Sequence, residues 1–461
     1  MIATDAAAAI EVVERPGDPQ LFRRHGESLE AARFLRDVQR LAADLPEAPY
    51  ICNLCRDRYR FAVALVAAAL RGQVCLLSSD RSPALLRSLG ERFAGLVAVT
   101  DPPPAGAAAI GAAISEASQL PQHIVALPAD TVAGAVANPA LPVDRLVAIV
   151  FTSGSTGLPI GYPKTWGALA ARSRTAARRF GLTGAAPAGV VGTVPAQHMY
   201  GFETTVLLPL HAAAASWSGP AFYPADIRVA LRAMPEPRVL VTTPRQIRAL
   251  LDADTSLPPL GCIISATAPL ADELAAAAER RWNTSVLEIY GATEVGSIAS
   301  RRTLDGPVWT AYDGVCLAPD LATDQMRVSA PYADPNLLPD LVEPLSPTTF
   351  SLLGRSADLV KLGGRRASLA GLNAILTSLP GVEDGVFVVP EDLERRPGAR
   401  LQVFAIAPER TAEDILAELR RRIEPVFLPR RVIRLSALPR NETGKLPWAA
   451  LLGLLSQSGD P

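Results

Sequence analysis

The sequence predicts an α/β protein with a large N-terminal body of β-sheets flanked by helices and a smaller C-terminal domain. Three observations lead there. Short β-branched and aliphatic runs alternate with stretches whose apolar residues recur at helical spacing, the order of an open, largely parallel sheet. The 33 glycines and 41 prolines are spread along the 461 residues, as turns between many short elements. The texture then changes beyond about residue 330, where Tyr332–Phe350 is proline-rich and acidic; this puts a domain boundary near Gly354 and divides the chain into 1–354 and 355–461.

The elements follow in order. Tyr50–Cys55 (YICNLC) reads as a strand carrying buried free thiols; with no second Cys-x-x-Cys in the chain, a zinc or redox site is rejected. Phe61–Leu70 (FAVALVAAAL) is closed by Arg60 and Arg71 and is too short to span a bilayer core of about 30 Å, so it reads as a buried helix. Leu146–Ser153, Arg238–Pro244, Leu260–Ala266 and Thr284–Gly291 read as buried strands. The helical stretches RQIRALLDA and PLADELAAAAERRW lie between them.

Charge narrows the function. There are 45 basic and 46 acidic side chains, a net charge of −1, which argues against a nucleic-acid coat or a polybasic membrane binder. Residues 355–461 hold 16 basic and 13 acidic residues, leaving 29 and 33 before them, and Arg420–Lys445 concentrates eight basic residues against Glu424 and Glu442. Five cysteines are too few for a disulfide framework, and the first residues carry acids among alanines with no basic region before an apolar core. The expected compartment is the cytoplasm.

Three segments carry chemistry. A predicted strand runs into Thr152, Ser153, Gly154, Ser155, Thr156 and Gly157, small hydroxyl residues and glycines whose N–H and O–H groups suit a phosphate. It is not the common P-loop, because Leu158 stands where Gly-Lys-Ser/Thr would continue. Tyr290, Gly291, Ala292, Thr293 and Glu294 follow another strand, where ligand sites of open α/β sheets lie. A carboxylate beside a phosphate is repelled unless Mg2+ intervenes, so Glu294 is the candidate metal ligand. Near the carboxyl end, Lys445 follows the flexible Thr443-Gly444 turn.

Together and in this order, the segments resemble the adenylate-forming superfamily: acyl- and aryl-CoA synthetases, carrier-protein ligases, luciferases and peptide-synthetase adenylation domains. The resemblance implies that Thr152–Gly157 bind the ATP phosphates, that the stretch Ser265-Ala266-Thr267-Ala268-Pro269 and Tyr290 bracket the adenine, that Gly291 belongs to the same ATP- and AMP-binding set, and that Thr293 touches the α-phosphate. Asp340 precedes Gly354 by fourteen positions, the family spacing of its ribose-binding Asp, with Arg355 as companion guanidinium. His198, in PAQHMYGFE, is nominated beside the substrate carboxylate, with Tyr200, Val241, Thr242 and Ile264 as candidate liners. Lys445 is the implied catalytic lysine, on a small mobile α+β lid domain that rotates near Gly354-Arg355 and admits a pantetheine arm past Gly363 and Gly364.

The departures are specific. Ile160 stands where the family's loop lysine would, and Lys164 is the candidate replacement. Lys164-Thr165-Trp166-Gly167 resembles a compact bacterial subgroup associated with aryl polyene and xanthomonadin-type pigments. The hinge position holds Ala357 beside Asp358, and Gly371 and Asn373 replace glutamates usual after Lys361. The implied activity is ATP-dependent adenylation of a carboxylic acid, an aryl acid such as a hydroxybenzoate, followed by transfer to an acyl carrier protein thiol, with free CoA as the alternative acceptor. A non-catalytic nucleotide-binding homologue is a further alternative. A serine hydrolase using Ser155 is rejected, since Gly154-Ser155-Thr156-Gly157 lacks the nucleophile-elbow spacing.

Overall fold

In the computed structural model, the described residues are 8–24, 26–103, 119–127, 136–152, 160–320, 325–355, 359–362, 365–390, 400–440, 446 and 453. The expected strands form within one or two residues of their sequence limits, at Tyr50–Asn53, Leu146–Thr152, Arg238–Thr242, Cys262–Ser265 and Ser285–Ala292. Their continuous apolar character has a structural cause: in the parallel parts of both sheets, side chains on the two faces are buried.

A six-stranded sheet has Ile160–Thr165 at one edge, then Leu146–Thr152, Val74–Leu77, Tyr50–Asn53, Val97–Thr100 and Gln122–Ile124. All pairings are parallel except the first. The helix Arg58–Leu70 is buried along almost its whole length, and the Asp57 side chain caps it by accepting from the Arg60 N–H. No helix among the described residues is long and apolar enough to cross a membrane. Cys52 and Cys55 are buried and free, and burial pushes the Cys52 thiol up to about 12.

An eleven-stranded sheet holds the second set of strands. Ala188–Gly192, Arg238–Thr242, Cys262–Ser265 and Ser285–Ala292 run parallel, so their carboxyl ends share one edge. From Ser285–Ala292 onward the pairing turns antiparallel, through Gly296–Arg302, Val308–Ala311 and Thr349–Arg355 to Asp340–Ser346. The proline-rich stretch is therefore largely strand: Ala333–Leu337 joins a separate three-stranded sheet, and Asp340–Ser346 forms a hairpin with Thr349–Arg355. Edge position tolerates Pro344, which has no N–H to give a neighbour.

Beyond residue 358 the strands Asp384–Val388, Gln402–Ile406 and Val432–Arg434 form a small sheet. Leu372, Leu376, Phe387, Val403, Ile415, Leu419 and Phe427 gather a core there. The helix Ala412–Arg422 begins with a reciprocal Thr411–Asp414 capping box and ends in Arg420, Arg421 and Arg422, so both termini complement the helix dipole. Gly354 and Arg355 end the strand Thr349–Arg355, and residues 356–358 lie outside the described set.

Candidate active site

Leu146–Thr152 and Ile160–Thr165 pair antiparallel as a hairpin at a sheet edge, with Thr152 opposite Ile160. Ile160 is half exposed there. Ser153, Gly154, Ser155, Thr156 and Gly157 lie outside the described residues.

Facing this hairpin is a second one. Ser285–Ala292 and Gly296–Arg302 are joined by Thr293, Glu294 and Val295, and the Val295 N–H donates to the Ala292 carbonyl at 3.1 Å. Gly291 sits at a register shift where a Cβ would come within 2.4 Å of the Gly296 carbonyl oxygen, so the close crossing requires glycine. The Tyr290 ring lies against Trp309 and Phe350, with centroids 5.6 and 5.7 Å away, and its hydroxyl donates to Asp340 Oδ2 at 2.7 Å. Asp340 is opposite Arg355 in register, so the fourteen-residue spacing to Gly354 is the geometry of one hairpin. Of Arg355 only the backbone is described.

Ser265 ends its strand and is buried, with no partner for its hydroxyl among the described residues. It is level with Glu288 in the parallel register, which brings Ser265, Ala266 and Thr267 to the edge where Tyr290 emerges. Thr267 has φ +80°, an unfavourable conformation for a β-branched residue and of the kind that collects at ligand-binding loops.

His198 caps the short helix Met199–Phe202, its Nδ1 accepting from the Tyr200 N–H at 3.3 Å. The buried Tyr200 hydroxyl approaches the carbonyl oxygens of Thr242 at 3.1 Å and Ile264 at 2.8 Å, tying this segment to the ends of two adjacent strands. Tyr200, Val241 and Ile264 belong to one hydrophobic cluster. Gln197, Arg81 and Arg58, which sequence reasoning missed, tie down the chain on either side of His198. Gln197 donates to the Asn53 and Cys55 carbonyls at 3.2 and 2.6 Å and accepts from Arg81 at 2.7 Å. Buried Arg58 donates to the carbonyls of Gly192, Val194 and Gly219 and to the Thr205 hydroxyl.

The cluster behind Glu294 was missed as well. Lys164 is 6% exposed, and its Nζ donates to the Glu294 carbonyl at 2.9 Å. Tyr162 lies two residues earlier on the same face of the strand; burial first and the nearby Glu294 carboxylate second push its hydroxyl up to about 12. Glu203 accepts from both the N–H and the hydroxyl of Ser297. Buried Arg172 and Lys164 face Glu203, and burial outweighs them in holding its carboxyl above the usual range. Glu203 opens a π-helical turn, Glu203–Leu207, a feature common at functional sites. The available signal was a lone acid in the apolar run MYGFETTVLLPL.

The profile of the family described as AMP-binding enzyme matches residues 47–319, and that of the AMP-binding enzyme C-terminal domain matches residues 372–445. This chain belongs to the AMP-binding enzyme family.

Its relatives include the 4-coumarate–CoA ligase of Rhodobacter capsulatus, 31% identical over 277 residues, covering 60% of this chain and 67% of that one. The 4-coumarate–CoA ligase of Cereibacter sphaeroides is 29% identical over 304 residues, covering 64% and 69%. Among solved structures, the fold matches ATP-bound MatB from Rhodopseudomonas palustris with a TM-score of 0.77 at 19% identity, over 96% of this chain and 97% of that one. It matches an anthranilate CoA ligase bound to anthranoyl-AMP with a TM-score of 0.79 at 14% identity, over the full length of both. The AMP-binding enzyme described here is an ATP-dependent, AMP-forming acid–thiol ligase. Lys445, Gly363 and Gly364 lie outside the described residues.

Proposed function

We propose that this AMP-binding enzyme converts an aryl carboxylic acid into its acyl-adenylate and passes the acyl group to a pantetheine thiol, with CoA as the first acceptor. The observation that carries the reading is the convergence of Ser265–Thr267, Tyr290, Thr293–Glu294 and Asp340 at one sheet edge, in a chain 31% identical to a 4-coumarate–CoA ligase. This arrangement suits a nucleotide: an aromatic face and backbone for the base, a carboxylate for ribose hydroxyls, and hydroxyl and carboxylate oxygens toward the phosphates.

Both reactants of the first step are anions, so catalysis requires cancelled repulsion and reacting atoms held within about 3–3.5 Å in line. In the proposed mechanism Thr152–Gly157 cradle the phosphates, Thr293 touches the α-phosphate, Asp340 and Arg355 hold the ribose, and His198 stands beside the acid. Lys445, carried by the lid at 355–461, bridges the attacking carboxylate and the α-phosphate. Rotation of the lid then withdraws it and opens the thiol path past Gly363 and Gly364. Glu294 fits Mg2+, because this ion takes oxygen ligands from one or two carboxylates and the phosphates of its nucleotide; among the described residues no cluster of three or more His, Cys, Asp or Glu forms an all-protein cage. Bound there, Mg2+ would stabilise charge on the departing pyrophosphate.

A second acceptor, the pantetheine of an acyl carrier protein, is favoured by the exposed Arg420, Arg421, Arg422, Arg430, Arg431 and Arg434, which offer positive charge to an acidic partner. This reading would suit the aryl polyene-type subgroup. The reaction is assigned to the cytoplasm. The test is a panel of hydroxybenzoates, cinnamate-type acids and fatty acids in acid-dependent pyrophosphate exchange, then in thioester formation with CoA and with holo carrier protein. Exchange with aryl acids and thioester on CoA are expected. Exchange with fatty acids alone would overturn the aryl reading, and thioester formed only on the carrier protein would overturn CoA.

A further inference from the structure

Three buried ionisable side chains, Lys164, Arg172 and Glu203, lie behind the turn that carries Glu294, near enough to feel one another's charge. Resting on the reading that Glu294 holds the Mg2+ of ATP, we propose that Lys164, with Glu203 as its buried counter-charge, is a positioning residue that fixes the Glu294 carboxylate.

Thr293–Val295 is a three-residue connection, and a carboxylate on so short a turn has free rotamers and a backbone that rocks unless something holds it. Here the strand Ile160–Thr165 holds it: Lys164 Nζ binds the Glu294 carbonyl at 2.9 Å, and the Tyr162 hydroxyl lies close enough to the Glu294 carboxylate to feel its charge. That strand belongs to the six-stranded sheet, whereas the turn that carries Glu294 belongs to the eleven-stranded one, so Glu294 is held from a different sheet. On the far side of the turn, Glu203 takes both donors of Ser297. Gly296 has φ +79°, and a Cβ there would lie 2.5 Å from Glu203 Oε1, so the turn packs against this carboxylate as closely as glycine allows.

Burying Lys164 and Arg172 together is costly, and Glu203 is the acid that faces both. Apolar residues of similar volume would fill this space at no desolvation cost, so stability alone does not call for three charges here. What an apolar residue cannot do is bind the Glu294 main chain.

The test is calorimetric titration of ATP into the protein with the acid omitted, with and without Mg2+; the quantity read is the factor by which Mg2+ tightens ATP. In Lys164→Met and in Glu203→Gln this factor is expected to fall about tenfold while affinity for metal-free ATP stays within about twofold, as for outer partners of metal ligands. Tyr162→Phe, at a partly exposed position, loses one hydroxyl only and is expected to shift the factor the same way if Lys164→Met does not fold. An unchanged factor in these variants, or equal weakening with and without Mg2+, overturns the proposal. Glu294→Gln separates the two levels: if it removes the Mg2+ effect and Lys164→Met does not, positioning alone is refuted. If Glu294→Gln keeps the effect, the metal reading falls and the proposal with it.

Discussion

Tyr290 Oη lies 2.7 Å from Asp340 Oδ2, although their strands are separated in the sheet by three others. Four strand spacings of about 4.8 Å would place them roughly 19 Å apart in a flat sheet. The antiparallel end of the sheet is therefore curled, and Trp309 and Phe350, on two of the intervening strands, pack against the Tyr290 ring inside the curl.

This pair makes a prediction about nucleotide choice. Tyr290→Phe keeps the ring stack and removes the donor that orients Asp340. Losing a hydrogen bond to a charged group costs about 1.5–3 kcal/mol, so the KM for ATP is expected to rise about tenfold or more. With 2′-deoxy- and 3′-deoxy-ATP compared in pyrophosphate exchange, the analogue lacking the hydroxyl that Asp340 holds is expected to show a smaller rise. Equal rises for all three nucleotides would detach Asp340 from the ribose.

Lys445→Ala separates the two half-reactions. Adenylation is expected to drop by several orders of magnitude, because the charge proposed to bridge the two anions would be gone. Thioester formation from a supplied acyl-adenylate is expected to persist, since in the proposed cycle that step proceeds with the lysine withdrawn. Single-turnover assays of each half-reaction check this, and equal loss of both would contradict lid rotation.

His211 links pH to stability. Burial first and the nearby Arg174 charge second lower its pKa from 6.5 to about 3, and its ring packs edge-on against Trp166 with centroids 5.1 Å apart. Between those two values the unfolded chain binds a proton that the folded chain does not, so stability falls as pH falls through this window. One such group contributes a slope of up to about 1.4 kcal/mol per pH unit. His211→Phe, which keeps an aromatic ring on Trp166, is expected to flatten that part of the curve in urea unfolding between pH 6.5 and 4; an unaltered slope would count against the assignment.

Arg58 tests the scaffold on either side of His198. Its fork serves three carbonyls and one hydroxyl, which a lysine ammonium cannot reach at once. Arg58→Lys leaves buried carbonyls unpaired and is expected to cost about 2–4 kcal/mol in chemical denaturation. A cost under about 0.5 kcal/mol, the range of ordinary surface substitutions, would show that these bonds are replaceable.

What the sequence determined by itself was local: apolar runs at Leu146–Thr152 and Arg238–Thr242 that must be buried, and chemistry-bearing residues at strand ends, Thr152 and Tyr290 among them. The fourteen-residue spacing of Asp340 was legible because a hairpin is a local object, even though the proline-rich stretch concealed the strands that make it. The tertiary structure decided which distant groups meet. Lys164 reads as a loop-side cation in sequence, yet its amino group is inside the protein against the Glu294 carbonyl. Glu203, Arg172 and Tyr162 carried no motif, and Asp340 reaches Tyr290 only because the sheet curls. Strand periodicity is set by a residue's immediate neighbours, whereas the approach of buried charged groups is set by how distant strands and helices pack together, which no spacing along the chain encodes.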